Sequence, residues 1–115
     1  MGVKEPLEGE TKKAVKKMLG GLSDDVYQIM PFAGYGTKGI PDHIASVPVT
    51  ITQDMVGETF GMFVGIESKK PHGELHGLQT LNIASIVASG AIGQVANSKE
   101  DVARVEHIIK KRFRF

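Results

Sequence analysis

The succession of apolar periodicities predicts a mixed α/β fold in the order α-β-β-β-α-β-α, a mixed sheet flanked by helices. Three observations carry this expectation. A helical apolar stripe opens the chain, β-like runs separated by Gly- and Pro-containing turns fill residues 25–69, and a helix–strand–helix succession closes it. A strand that follows a helix at the spacing seen after residue 75 calls for a parallel crossover on the sheet.

The first helix is expected over residues 6–19. Leu7, Ala14, Val15, Met18, Leu19 and Leu22 form one stripe at helical spacing, Pro6 suits a first turn and Gly20-Gly21 a stop. Lys12, Lys13, Lys16 and Lys17 fall on the opposite face. A lysine face of this kind is most often solvated, and contact with phosphate is its other use. Residues 25–33 read as a strand, followed by the Gly-rich loop GYGTKG. Residues 42–52 read as a second strand, with Pro48 marking an edge or a bulge because proline has no N–H for a ladder. Residues 59–68 read as a third strand, apolar on both faces and therefore central. These strands are expected to form a three-stranded meander over 25–69, with a hairpin spanning 42–68.

After breaks at Pro71, Gly73 and Gly77, residues 75–89 read as a helix closed by Gly90, and residues 91–96 as a short strand. Ser98 and Asp101 have the spacing of a capping box for a last helix over 99–111. The whole, 1–115, is expected to be a single domain, because 115 residues suffice for one core and not for two.

Composition narrows the function classes. The chain lacks cysteine, which excludes disulfides and thiolate zinc sites. No apolar run approaches the roughly 20 residues that cross a bilayer. The polar start MGVKEPLEGE does not read as a signal peptide, so a soluble, cytoplasmic protein is the expectation. A net charge of +1 argues against binding nucleic acid by bulk charge alone, although catalytic acids would offset basic contacts in that sum.

The residues that carry chemistry lie between 39 and 79. GIPDHI places Asp42 after a Gly-Ile-Pro turn, and FVGIESKKP places Glu67 and Lys69 near the end of an apolar run. Residues two apart on a strand share a face, so Glu67 and Lys69 do, together with Gly61 and Gly65, whose missing side chains would leave that surface open to a ligand. A hairpin over 42–68 would bring Asp42 to Glu67. Two carboxylates about 4 Å apart repel by about 1 kcal/mol in water and about 4 at an effective dielectric near 20, a cost that a hard divalent cation removes. All-oxygen ligation points to Mg²⁺ or Mn²⁺, which polarises a phosphate and acidifies a bound water. Lys69 would orient that water or neutralise charge on the transition state. Taken singly, each element is ordinary: an acid and a lysine two apart are a common surface pair, and Pro-Asp is a common turn.

Gln79 adds a further element. It lies on one line with Leu75, Ile83 and Ile86, so it faces the core, where an amide needs partners. Backbone groups would satisfy it, and so would the acids.

Together GIPDHI, IESKKP, LHGLQ after a glycine turn, and SKEDV after a short strand resemble the virus-type replication-repair nuclease (VRR-NUC) domain, a branch of the PD-(D/E)xK nuclease superfamily. The resemblance runs over roughly residues 8–105. It implies a restriction-endonuclease-like α-β-β-β-α-β core. It further implies that Asp42 and Glu67 are metal ligands, completed by the main-chain carbonyl of Ser68. Lys69 would be the catalytic lysine and Gln79 the helix glutamine of the catalytic set. The family also carries a glutamate on the first helix; Glu8 and Glu10 are the candidates, and Glu8 lies nearer the apolar stripe. Standalone members resemble archaeal-type Holliday junction resolvases, which implies a homodimer that cuts branched DNA. Flaps, nicks or single strands are alternative substrates, and a non-catalytic nucleic-acid-binding module is the alternative outside enzymology. Lys38, Lys70 and His72 are softer candidates for DNA contact, as is the basic-aromatic tail KKRFRF. His72 and His76 have no partner pattern for a zinc site.

Overall fold

The computed structural model describes residues 8–31 and 39–113. It is mixed α/β: helix α1 (Glu8–Gly20), strands β1 (Tyr27–Ile29) and β2 (Ile44–Ser46), strand β3 (Val64–Ser68), helix α2 (Gly77–Ala88), strand β4 (Ile92–Ala96) and helix α3 (Val102–Phe113), with a 3-10 turn at Gln53–Met55. Pro6 and Leu7, expected in the first turn of α1, lie outside the described residues. Among the described residues no helix is long and apolar enough to cross a membrane.

Among the described residues the strands form two separate pairs. β1 and β2 are antiparallel, with Gln28 opposite Ala45. β3 and β4 are parallel, with Gly65 opposite Gly93 and Glu67 opposite Val95. The parallel crossover β3–α2–β4 is as the sequence predicts. The three-stranded meander is not formed: β2 pairs only with β1, and β3, expected to be central, pairs only with β4. Proline explains part of this. β2 ends at Ser46, two residues before Pro48, which has no N–H to extend a ladder. Residues 47–52 and 58–63 continue without strand pairing.

The crossover half is locked by local chemistry. α2 ends in a Schellman motif: Gly90 takes φ +92°, its N–H donates to Val87 O at 3.0 Å, and Ala91 N–H donates to Ile86 O at 3.2 Å. Gly65 and Gly93, side by side in the ladder, lie beneath this helix. A methyl on Gly93 would stand 2.9 Å from Ile83 O, and one on Gly65 would stand 2.7 Å from Ile86 Cδ1. Two neighbouring glycines thus let α2 settle onto the sheet. Ile86 thus covers part of Gly65, which nevertheless lines the hollow beside Glu67.

The other face of β4 carries α3. Ser98 Oγ accepts the Asp101 N–H at 3.0 Å, the forward half of the expected capping box. Asp101 Oδ2 accepts from Asn97 N–H at 3.1 Å rather than from Ser98, so the reciprocal half is displaced by one residue. Arg104 then ties the helix to the strand, donating to Asp101 Oδ1 at 2.7 Å and to Val95 O at 2.7 Å. The Arg104 guanidinium, followed by the Asn97 N–H, holds the Asp101 carboxyl below its ordinary range. The buried apolar residues Ile86, Ala91, Ile92, Ala96 and Val105 all belong to α2, β4, α3 or their junctions.

Candidate active site

β3 positions the site. Phe63, Gly65, Glu67 and Lys69 alternate with Val64, Ile66 and Ser68 along the extended chain, so Glu67 rises on the α2 face of the sheet. Lys69 continues that parity: its N–H donates to Ala96 O at 2.8 Å, which carries the ladder one residue past β3. Its Nζ lies 3.7 Å from Glu67 Oε1, and its side chain is 17% exposed against 34% for Glu67. A half-buried ion pair of this kind is screened less than a surface one.

α2 brings the third member. Its first turn sits over Glu67, where Gln79 Nε2 donates to Glu67 Oε1. Gln79 Oε1 in turn accepts the His76 N–H at 3.0 Å. The amide orientation follows without ambiguity. His76 N–H can only donate and a carboxylate can only accept, so the oxygen must face the helix start and the nitrogen must face Glu67. The side chain that caps α2 thereby aims a donor at the acid.

Glu67, Lys69 and Gln79 are therefore one cluster. Glu67 Oε1 accepts from Gln79 and is the carboxylate oxygen nearest Lys69 Nζ. A hollow of about 230 Å³ adjoins the cluster, lined by Tyr27, Phe63, Asn82 and Ile83 together with Glu67 and Gln79. Tyr27 and Phe63 meet edge to face, their centroids 5.7 Å apart. Sequence reasoning misses Asn82 and Tyr27 as neighbours of the acid. Asn82 is findable, since it lies three residues after Gln79 on the same helical face; Tyr27 depends on how β1 lies against β3.

Among the described residues no side-chain hydrogen bond or ion pair joins the remaining predicted residues to this cluster. Asp42 is exposed just before β2, and β2 is not hydrogen-bonded to β3, so the hairpin expected to deliver Asp42 to Glu67 is not formed. Glu8 is 78% exposed and pairs with Lys12 at 3.7 Å, an i,i+4 contact on α1. The preference for Glu8 as inward-facing is not reproduced, because α1 buries no residue at all. Among the described residues no three His, Cys, Asp or Glu side chains gather closely enough to hold a metal ion. The donor chemistry of the predicted set, carboxylates and a carbonyl, suits a hard divalent cation. Of that set, Glu67 is held in the cluster and Ser68 follows it at the end of β3.

Lys70 and His72 are exposed on the turn that follows β3. Gly73 N–H donates to Lys70 O at 2.8 Å, with Pro71 and His72 at the corners and His72 at φ +62°, the position of a type II turn that favours glycine. A methyl on Gly73 would stand 2.9 Å from Lys70 O and 3.2 Å from Lys69 Cβ. This close turn backs the lysine. Lys38 lies outside the described residues. His43, beside Asp42, keeps a buried Nδ1 without a partner among the described residues, a feature that its place next to a turn does not signal.

No family model, no curated protein and no solved structure matches this chain.

Proposed function

We propose that the chain is a divalent-metal-dependent, structure-specific DNA endonuclease of the restriction-endonuclease-like type, resolving four-way junctions as a homodimer. The observation that carries this reading is the cluster in which a lysine and a glutamine share one carboxylate oxygen of Glu67, at the end of a strand and the start of the crossover helix. The nuclease set expected from the sequence requires these three residue types to converge, and they come from positions 67, 69 and 79.

In this reading Glu67, Asp42 and the Ser68 carbonyl hold Mg²⁺ or Mn²⁺, with Glu8 as the outer acid. The ion, when bound, polarises the scissile phosphate and acidifies a water. Lys69 stabilises negative charge on the phosphate or orients the attacking water. Gln79 keeps Glu67 turned toward the phosphate and supplies an N–H donor beside it. Drawing Asp42 against Glu67 with no cation between them costs about 4 kcal/mol at about 4 Å and an effective dielectric near 20. Assembly of the full acidic set is accordingly coupled to cation binding. Lys38, Lys70 and His72 contact the DNA backbone in this reading.

The test is cleavage of a synthetic four-way junction with and without Mg²⁺, beside a flap substrate. Cutting that needs Mg²⁺ is expected. Lys69→Ala and Asp42→Asn are each expected to lose roughly 100-fold or more of that activity, the scale of removing one transition-state contact, while junction binding persists. Full cutting by Lys69→Ala, or undiminished cutting in EDTA, overturns the proposal. Preference for the flap over the junction replaces the substrate and keeps the chemistry.

A further inference from the structure

The hollow beside Glu67 differs in chemistry from the ion pair that it adjoins. Tyr27 of β1 and Phe63, just before β3, meet at its wall edge to face, with 5.7 Å between centroids and 62° between ring planes. The two rings make an aromatic corner, and Ile83 and Ile86 line the hollow from α2. Among the described residues that line it none is basic, and Lys69, the cation of the cluster, is not one of them. Attraction for a phosphate therefore lies beside the hollow and not within it.

One amide in the hollow is uncommitted. Gln79 is held at both ends, donating to Glu67 Oε1 and accepting the His76 N–H at 3.0 Å. Asn82, three residues further along α2, lines the same hollow, is exposed, and makes no hydrogen bond to a described residue. A primary amide presents donors and an acceptor side by side in one plane. That pattern matches the edge of a nucleobase, where donors and acceptors also stand side by side. Size narrows the ligand further. About 230 Å³ falls below the about 300–1,000 Å³ of pockets for drug-sized molecules, so the hollow has room for one ring system and none for a duplex.

We propose, resting on the nuclease reading of the Glu67 cluster, that this hollow receives one unstacked nucleobase of the strand held at Glu67. The base lies against the Tyr27–Phe63 corner, and the Asn82 amide meets its edge. Stacking on aromatic rings tolerates every base, because each has a π-face. Entry requires the base to leave its stack, which costs least where it is mismatched or already single-stranded. Tyr27, Phe63 and Asn82 thereby sort DNA structures by how readily they give up a base, a selectivity that an acid and a lysine do not supply.

Nuclear magnetic resonance on the full chain with Mg²⁺ reads the hollow directly. Added dAMP should shift the side-chain amide signal of Asn82. Deoxyribose 5-phosphate, which is dAMP without its base, should leave that signal in place and bind roughly 10-fold more weakly. Asn82→Ala, at an exposed position, should weaken dAMP roughly 10-fold and leave deoxyribose 5-phosphate unaffected. A four-way junction carrying 5-iododeoxyuridine at successive positions near its branch point, a probe that couples to aromatic side chains under ultraviolet light, should crosslink to Tyr27 or Phe63. That arm separates a base within a strand from a free nucleotide. Equal binding of dAMP and deoxyribose 5-phosphate, a dAMP affinity indifferent to Asn82→Ala, or dAMP binding with no crosslink from any junction position overturns the proposal. Mg²⁺-dependent junction cutting with no base in the hollow sinks this proposal and spares the nuclease; a crosslinked base in a chain that cuts no DNA does the reverse.

Discussion

The crossover half of the molecule, β3 to α3, and the half that precedes it are built to different standards. In the crossover half a Schellman cap, a pair of neighbouring glycines and an arginine latch each specify one arrangement. In the preceding half α1 buries nothing, β1 and β2 are three residues each, and Val49, Ile51 and Phe60 face solvent. The difference lies in what is laid against each element and not in sequence separation, since β1 and β2 are nearer along the chain than β3 and β4. β4 has α2 and α3 packed against it, whereas α1 has no buried face, and a helix draws most of its stability from such a face. The candidate site straddles this boundary: Glu67, Lys69 and Gln79 lie on the specified side, Asp42 and Glu8 on the other.

Truncation in the two halves should expose the contrast most sharply. Ile86, 5% exposed on the sheet-facing side of α2, packs on Gly65, and Ile86→Ala should cost about 2–5 kcal/mol in denaturant unfolding. Met18→Ala on α1, where the side chain is 54% exposed, should stay within about 0.5 kcal/mol. Equal costs would erase the distinction.

A smaller effect separates the two glycines. Gly93→Ala meets a backbone carbonyl that cannot move without unwinding α2, so about 1–3 kcal/mol of overpacking is expected. Gly65→Ala meets the tip of the Ile86 side chain, which can turn to another rotamer, so it should cost less. The reverse ranking in thermal unfolding would mean that α2 is seated by Ile86 rather than by its backbone.

The smallest effect is on pH. The carboxyl of Asp101 is held low first by Arg104 and then by the Asn97 N–H. A depressed folded-state value means that the stabilisation is present above the ordinary aspartate range, about 3.9, and is lost as pH falls through the folded value. Glu106, held low by Lys110, and Asp54, held low by Thr52, share that direction. Asp101→Asn should therefore flatten part of the acid limb of an unfolding titration and leave the neutral region level. An unchanged acid limb would show that the Arg104 latch does not bear on folding.

Much of the candidate site is legible in the order of residues along the chain. The parity of Glu67 and Lys69 follows from the two-residue repeat of a strand, and the inward line Leu75, Gln79, Ile83, Ile86 from the helical repeat. Both are local periodicities, so the chain states them directly, and the 3.7 Å ion pair and the Gln79 hydrogen bond realise them. The closing Gly90 and the Ser98–Asp101 spacing are legible for the same reason. Gly65 is legible in part: its parity places it on the face of the hollow beside Glu67, and says nothing about Ile86 packing there as well.

What the sequence by itself determined is thus the order of the elements, the parallel crossover and the shared face of Glu67 and Lys69 with the inward place of Gln79. The tertiary structure alone decided that β2 pairs with β1 and not with β3, and that Asp42 is not carried to Glu67 by a hairpin. It also decided that Gly65 and Gly93 form one seat for α2. The physical reason is common to all three. Periodicity is set by the covalent geometry of neighbouring residues, while pairing and seating depend on which distant surfaces compete for the same apolar face.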